Sequence, residues 1–527
     1  MTPKATALAA LFTAGTLLLS ACTSDSDASQ GGSGGTLTFA VGSDAGCVDP
    51  QQVGSNDTIY SVRQLVDSLT DQDPQTGKIV PWLAEKWDVS PDSTTFTFHL
   101  RKGVTFSDGT PLTAQVVKDN FEAVPNLGAL AVLAQGYLAG VKDITAVDAQ
   151  TVKIAFAQPN AQFLQATATH SLGILSDASV KKTPEQRCSD GVVGSGPFVL
   201  AKYVPNQSIT LTKRTGYDWG SSLWKKDGEA YLDTVVFKIV PESGVRTGSL
   251  QSGQVDAIGA VGKADEAALK AAGVQLITRA NPGVVFQLGL NNSRPVLKDL
   301  KVRQAILAAV DRQQIVDTVY PSGTQPATSI LSHTTPGYTK QPALAYDPAK
   351  AKSLLDAAGW RAGSDGIRVK NGARLTLHVT WFANAATNQP ALELVQQQLK
   401  AVGIDVTLKQ AQIAQIVQIQ KGGNFDALWG NVTRADPDIL RTQFSTKLLN
   451  AYRIPEGPLQ TVLAQQAAAA DPAKRRPLVD QAQKLIVDNA YVVPVVELET
   501  ELGVASKVQD LNFEASSRIQ LHDTRLR

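Results

Sequence analysis

The sequence predicts a mixed α/β protein built from more than one lobe, and three observations carry that reading. Stretches alternating at period two and stretches with apolar residues three and four apart interleave along the whole chain. One segment, PALELVQQQLKAVGIDVTL, joins both patterns: Leu392, Val395, Leu399 and Val402 make a helical stripe, Gly403 stops it, and Ile404, Val406 and Leu408 then alternate as a strand. Finally, 527 residues are too many for one hydrophobic core, so two or three lobes are expected.

Taken in order, the chain starts with Lys4 and an apolar run from Ala7 to Leu19. That run is shorter than the roughly 20 residues a membrane span needs, and it suits a secretory signal. It ends in Leu19-Ser20-Ala21-Cys22, which resembles the lipobox of bacterial lipoproteins. The resemblance implies a signal peptide over 1–21 and a lipid on Cys22; an ordinary secretion signal with an incidental Cys is the plainer alternative. Thr23 to Gly35 holds no large apolar residue, so 22–35 is expected to be a tether.

The first strand is TLTFAV, with Leu37, Phe39 and Val41 on one face, followed by the loop GSDAGCVDPQ. In TTFTFHL, Phe96, Phe98 and Leu100 repeat that period. Asp108-Gly109 marks a turn, and Thr113 is a good N-cap for a helix from Ala114. Pro205-Asn206 separates two alternating runs and predicts a hairpin. Further on, DLKVRQAILAAVDRQQIVDTVY carries Val302, Ile306, Ala309 and Val310 at helical spacing. DPAKAKSLLDAAGW is a helix with Leu354, Leu355 and Ala358 on one face and Gly359 as its stop.

Charge is balanced, 49 basic against 48 acidic side chains, which argues against nucleic acid or a basic membrane face as partner. Of three Cys, Cys22 is assigned to the lipid, leaving Cys47 and Cys188 in an oxidising compartment. A disulfide between them would close a loop of about 140 residues, worth about 4–5 kcal/mol on a chain-entropy model; the alternative is two buried thiols. The five His are scattered, and there is no H-E-x-x-H, no phosphate-cradling glycine loop and no G-x-S-x-G around Ser195. Ser195 reads better as part of a tight turn before a strand. Neither enzyme activity, cofactor nor metal is expected.

Five segments together resemble one family: PWLAEKWDVSPDSTTFTFHLRKGVTFSDGTPLTAQVVKDNF (Pro81 to Phe121), VGSGPFVL, SGQVDAIG (Ser252 to Gly259), DLKVRQAILAAVDR and YDPAKAKSLLDAAGW. They are similar to the family 5 extracellular solute-binding proteins, the peptide, nickel and opine receptors of bacterial ABC importers, over essentially the whole chain after the tether. The resemblance implies a two-lobed periplasmic-binding-protein fold (type II, cluster C) with an extra domain inserted in the first lobe. Mapped here, lobe I is 36–70, 190–287 and 495–527, the extra domain 71–189, and lobe II 288–494. It also implies a monomer, lipid-anchored to the outer face of the cytoplasmic membrane, that closes on a ligand and is read by ABC permease subunits.

The ligand expectation starts from ALWGNVTRADPDILR. Dipeptide and oligopeptide receptors of the family carry an Asp three residues after the Trp, where it pairs with the ligand's amino terminus. Here Trp429 is followed at that place by Val432, or by Thr433 counted back from Asp-Pro-Asp. Asp436 would substitute only in a rearranged loop, and otherwise fixes the turn with Pro437 and Asp438. A carboxylate-holding Arg found in some members is also missing from TWFANAATN. Arg434 either pairs bidentately with a ligand carboxylate, or is solvated or bridges to Asp436 or Asp438. Trp429 is either a stacking platform or lobe core. Ser43 and Asp44 are placed at the cleft by resemblance; Asp44 either takes a cationic ligand group or caps its loop. Tyr60 is a candidate for contact or packing. A peptide ligand is the first expectation, an opine-like or other small carboxylate the second, and nickel a distant third because the cleft loops offer no His. A sensing or scaffolding module without transport is the remaining alternative.

Overall fold

The computed structural model describes residues 34–128, 131–412 and 415–527. The expected signal peptide, the lipid on Cys22 and the tether up to residue 33 lie outside the described residues.

Two sheets organise the molecule. The first has seven strands in the order Gln275–Ala280, Glu499–Val504, Ala257–Gly259, Thr36–Val41, Thr234–Ile239, Ser208–Lys213 and Phe198–Val204. Thr36–Val41 runs parallel to both of its neighbours. The second has five strands in the order Asp405–Ala411, Thr376–Phe382, Ala427–Thr433, Gly283–Leu290 and Val492–Val496. Here Thr376–Phe382 runs parallel to both its neighbours, while Gly283–Leu290 is antiparallel to both of its own. Gly283–Leu290 is buried along its whole length, as expected of a strand covered on both faces.

The inserted domain is a four-stranded antiparallel sheet, Ala84–Val89, Thr95–Leu100, Thr151–Phe156 and Val141–Ala146, with the helix Ala114–Ala123 packed on it. Phe96, Phe98, Phe121, Phe156 and Phe163 fill its core edge to face. Thr113 caps the helix by accepting from the Val116 N–H.

The chain passes between the two large sheets twice, through 281–282 and 497–498. The sheets therefore change over there, a few residues from the expected 287 and 495. The two crossings are tied together: the Asn281 N–H donates to the Leu498 carbonyl at 2.7 Å, and the Thr500 hydroxyl donates to Asn281 Oδ1 at 2.7 Å. Two adjacent single-chain crossings make a hinge.

Three local features differ from, or refine, the sequence reading. The segment 299–320 is two helices, Leu300–Ala309 and Arg312–Val319. Val310 leaves the helical region, and Asp311 starts the second helix by accepting from the Gln314 N–H. The Gly194-Ser195-Gly196 turn presses onto backbone: a Cβ at Gly194 would lie 1.9 Å from the Leu65 carbonyl oxygen, and one at Gly196 would lie 2.5 Å from the Leu65 carbonyl carbon. Ser195 accepts from the Asp67 N–H, a structural use of its hydroxyl. Finally, Cys47 and Cys188 are bonded, with Cα atoms 4.0 Å apart, inside the core of the first lobe. Beside them Arg187 and Asp49 form an ion pair at 2.8 Å with both side chains 0% exposed. Covalent bond and ion pair together pin the loop after the first strand to the helix Pro184–Ser189.

Candidate ligand cleft

In open α/β sheets ligands settle at the carboxyl ends of parallel strands. In the second lobe that edge carries Phe382, Asn384 and the stretch Gly430–Val432, beside the start of the helix Asn388–Ala401. They line a cavity of about 100 Å³ together with Trp429, Gln287, Gln443 and Tyr452. Trp429 is only 1% exposed. Its ring stacks on Phe286 at 5.3 Å, and its indole N–H donates to Asn388 Oδ1 at 2.9 Å. Asn388 in turn donates to the Phe382 carbonyl, so the indole fixes the edge from which the site is built. Trp429 is thus mainly lobe core, with an edge on the cavity. Gln287 Oε1 faces the same region, buried and without a partner.

The loop that follows sorts its charges by neighbour. Asp436 is held bidentately by Arg475 at 2.6 and 2.8 Å and also accepts from the Asp438 N–H. Arg441 grips Asp438. Both carboxylates are therefore committed, and Asp436 takes the turn-fixing role that was the alternative to ligand contact: its oxygens already have strong donors. Thr433 closes the strand opposite Gly283, whose φ is +109°. A Cβ there would meet the Val432 carbonyl oxygen at 2.3 Å, so glycine is needed where the hinge meets the site loop.

Arg434 bridges to neither Asp. Its backbone N–H donates to the Pro282 carbonyl, and its side chain crosses to the inserted domain. The guanidinium lies 4.7 Å over the Tyr137 ring and donates through Nη1 to Gln162 Oε1 and Thr442 Oγ1, both at 3.1 Å. It is 7% exposed, and its Nε has no hydrogen-bond partner. Other contacts latch the same two bodies: the Ala161 N–H donates to the Ala467 carbonyl, and Gln72 Nε2 donates to the Ala435 carbonyl. Between them lies a cavity of about 630 Å³, lined among others by Trp87, Leu164, Gln165, Pro437 and Arg475. That volume is in the range of small-ligand sites, roughly 300–1,000 Å³.

On the first lobe the expected residues are used differently. Asp44 accepts from the Gly46 N–H through one oxygen and from the Tyr203 hydroxyl and the Asn206 N–H through the other, all at 2.8–2.9 Å. Of its two readings the contacts favour the loop cap over a cationic ligand group: Asp44 fastens its loop to the hairpin. Ser43 donates to Asp57 Oδ2 at 2.8 Å, so its hydroxyl proton is also committed. Tyr60 packs on Phe39 with ring centres 5.9 Å apart, and burial, then the Asp57 charge, pushes its phenol well above the usual range.

The sequence reading missed Arg518, in the C-terminal segment that returns to the first lobe. It is 8% exposed, donates through Nη1 to the Ser516 carbonyl at 2.8 Å, and leaves Nε without a partner. Burial pulls it below the ordinary guanidinium range, opposed by Glu514, Tyr137 and Tyr60. His170, buried nearby, is held neutral by burial and by the charges of Arg518 and Arg63. Tyr137 and Gln162 were missed as well. None of these residues sits in a motif; only the folded chain brings them together.

Two sheet-based lobes, a double-stranded hinge and a cleft define a hinged binding protein. The chain belongs to the bacterial extracellular solute-binding proteins, family 5, whose model matches residues 78–447. It is 28% identical over 475 residues to the dipeptide-binding protein of Escherichia coli strain K12, covering 83% of this chain and 85% of that relative. Its fold is similar to NikA from Brucella suis in complex with Fe(III)-EDTA (TM-score 0.81, 23% identity, 94% of this chain and 100% of the other). It is also similar to DppA from Helicobacter pylori in complex with the peptide STSA (TM-score 0.74, 24% identity, 94% and 98%).

Proposed function

We propose that this chain is the ligand-capturing receptor of an ABC importer, that it takes a peptide between its lobes, and that a lipid on Cys22 holds it at the outer face of the cytoplasmic membrane. One observation carries the reading: two sheet-based lobes, joined by a tied double crossing, meet again through the inserted domain around a cavity of about 630 Å³. A ligand touching both walls stabilises the closed form by the contacts it makes only there, and the permease then distinguishes closed from open. The ligand undergoes no covalent change. The peptide assignment draws support from the dipeptide-binding relative and from the peptide-bound fold neighbour. Backbone contacts then take the place of the amine-binding Asp that Val432 and Thr433 do not supply.

The test is to denature the purified protein and identify what it releases by mass spectrometry. A set of peptide masses is expected. A single non-peptide mass would sink the peptide assignment while leaving the receptor role intact. Mass spectrometry of the intact membrane-extracted protein tests the lipid, which is expected as a diacylglyceryl addition at Cys22 that Cys22→Ser abolishes.

A further inference from the structure

The cavity between the inserted domain and the second lobe has apolar walls on both sides. Ile79, Trp87 and Leu164 line it from the inserted domain, and Pro437, Pro472 and Val479 from the second lobe. Around it the two bodies are in direct contact. The Ala161 N–H donates to the Ala467 carbonyl at 2.9 Å, and the Ser93 hydroxyl donates to the Ala468 carbonyl at 3.4 Å. Gln72 Nε2 donates to the Ala435 carbonyl at 3.0 Å. A Cβ on Gly77 would lie 2.4 Å from Pro336 Cγ, so that turn also closes on the second lobe. Protein interiors leave few spaces larger than a water molecule. A space of about 630 Å³ inside contacts this close is therefore shaped by something other than the packing of the chain on itself.

The polar groups along the walls say what chemistry suits it. Gln72 and Gln165 both line the cavity, both are 4% exposed, and each has an Oε1 without a donor. The orientation of the Gln72 amide is set by its two Nε2 bonds, to the carbonyls of Gly77 and Ala435, which leaves its oxygen as the acceptor. A buried acceptor without a donor carries a desolvation cost that an N–H or O–H would relieve. The charges exclude one class of occupant. Among the described lining residues the one carboxylate is Asp436, which Arg475 already holds, while Lys78 and Arg476 are cations at the exposed edge. A cationic group therefore meets like charge and no free anion.

We infer that this cavity is a selectivity pocket for a large apolar group that carries an N–H or O–H donor beside it, and that it discriminates against cationic groups. The inference rests on the peptide-receptor reading and deepens it: in a peptide the occupant is a Leu, Phe or Trp side chain, with a neighbouring backbone N–H donating to Gln72 or Gln165. The walls belong to different bodies, so an apolar group is covered on both sides only when the bodies meet. Its burial then favours the closed form over the open one. Full burial of one such side chain is worth about tenfold to a hundredfold in affinity.

The experiment exposes the full chain, freed of ligand by unfolding and refolding with its disulfide oxidised, to two probes. The first is a set of alanine tripeptides in which each position in turn is Leu, Phe, Trp, Ser, Asp, Lys or Arg, with trialanine as reference. The second is a mixture of apolar amides and alcohols that have no peptide backbone. Mass spectrometry identifies what is retained. The Leu, Phe and Trp peptides are expected to be retained and the Lys and Arg peptides lost. Ala470 lines the cavity from an exposed position, so Ala470→Trp puts a large side chain there without displacing core. It is expected to bring the apolar peptides down to the level of trialanine, a loss of about tenfold or more. Gln165→Leu keeps the size of the side chain and removes the acceptor. It is expected to weaken the apolar peptides a few-fold while the melting temperature of the ligand-free protein stays level or rises. Equal retention of all tripeptides, or a preference for Lys and Arg, overturns the pocket and leaves the peptide reading standing. Capture of an apolar amide or alcohol but of no peptide, abolished by Ala470→Trp, upholds the pocket and overturns the peptide reading. Retention of neither probe overturns both. A higher melting temperature in Ala470→Trp with an unchanged pattern of retention overturns the inference by making the cavity a packing gap between the two bodies.

Discussion

Arg187 and Asp49 show what burial does to a charge pair. Both side chains are fully inaccessible, and Arg187 also donates to Gln51. Removing one partner leaves the other as an isolated charge in a dry site. Arg187→Ala is therefore expected to destabilise the protein by about 3–5 kcal/mol, read by denaturant unfolding with the disulfide kept oxidised. A loss below about 1 kcal/mol would mean that water reaches Asp49 once the arginine is gone. The same scale explains why the sequence could not choose between the two readings of Asp44 and of Asp436. A loop aspartate in the right segment cannot be told from a ligand residue until its neighbours are known. Those neighbours, Tyr203 for one and Arg475 for the other, lie 159 and 39 residues away in the chain. Arg434 was legible as a residue of interest because it replaces a pattern. Arg518 was not, because its short polar segment has no periodicity.

Elements were read best where pattern and cap agree. The helix after Thr113, the helix of Pro348–Ala357 with its Asp347 cap, and the helix–Gly403–strand unit are where the alternation put them. In the segment 299–320 the apolar residues keep helical spacing through Val310, and that spacing does not mark where one helix ends and the next begins. The break comes from Asp311, which competes for the Gln314 N–H, and from Arg312, whose buried guanidinium donates to the carbonyls of Pro494, Leu344 and Val310. Asp311→Ala is expected to cost about 1 kcal/mol, the usual value of an N-cap, seen as a small fall in unfolding midpoint at unchanged slope. Gly283→Ala is expected to do something different. A Cβ there collides with the Val432 carbonyl beside the hinge, so ligand affinity should fall along with stability. An effect confined to stability would place the strain away from the cleft.

At the scale of the whole molecule, the two-lobe division followed from chain length and the motif series, whereas the exact crossings did not. Hinge strands belong to one sheet up to a residue and to the other a step later, and hydrophobic patterning is the same on both sides. What the sequence could not show is how much uncompensated acid the fold buries. Asp67 lies fully buried, its carboxylate accepting from Tyr217 and Trp219, and burial pushes its carboxyl up to about 7 against those donors. Burial likewise lifts Asp71 to about 6, and burial with the charges of Glu266 and Glu499 lifts Glu501, beside the hinge, to about 7. His333 pairs with Glu497 across the hinge at 2.5 Å, and that hydrogen bond raises its pKa. All four shifts have the same sign. Each group holds its proton more tightly folded than unfolded, where carboxyls titrate near 4 and imidazole near 6.5. For the carboxyls the stabilisation is complete below about pH 4 and is lost as pH rises through 6 to 7; for His333 it is complete below about 6.5 and is lost above that. His170, held neutral by burial, acts the other way below about pH 6.5, but it is one group against four, so stability is expected to decline from pH 5 to pH 8, the reverse of a protein dominated by surface carboxylate pairs. Asp67→Asn, which keeps an acceptor for Tyr217 and Trp219 without a titrating proton, should flatten that decline in a series of thermal unfolding measurements. Glu501→Gln should flatten it further, because the two groups lie in different parts of the first lobe and their effects should add. A profile that instead rises from pH 5 to pH 8 would mean these carboxyls are hydrated in solution.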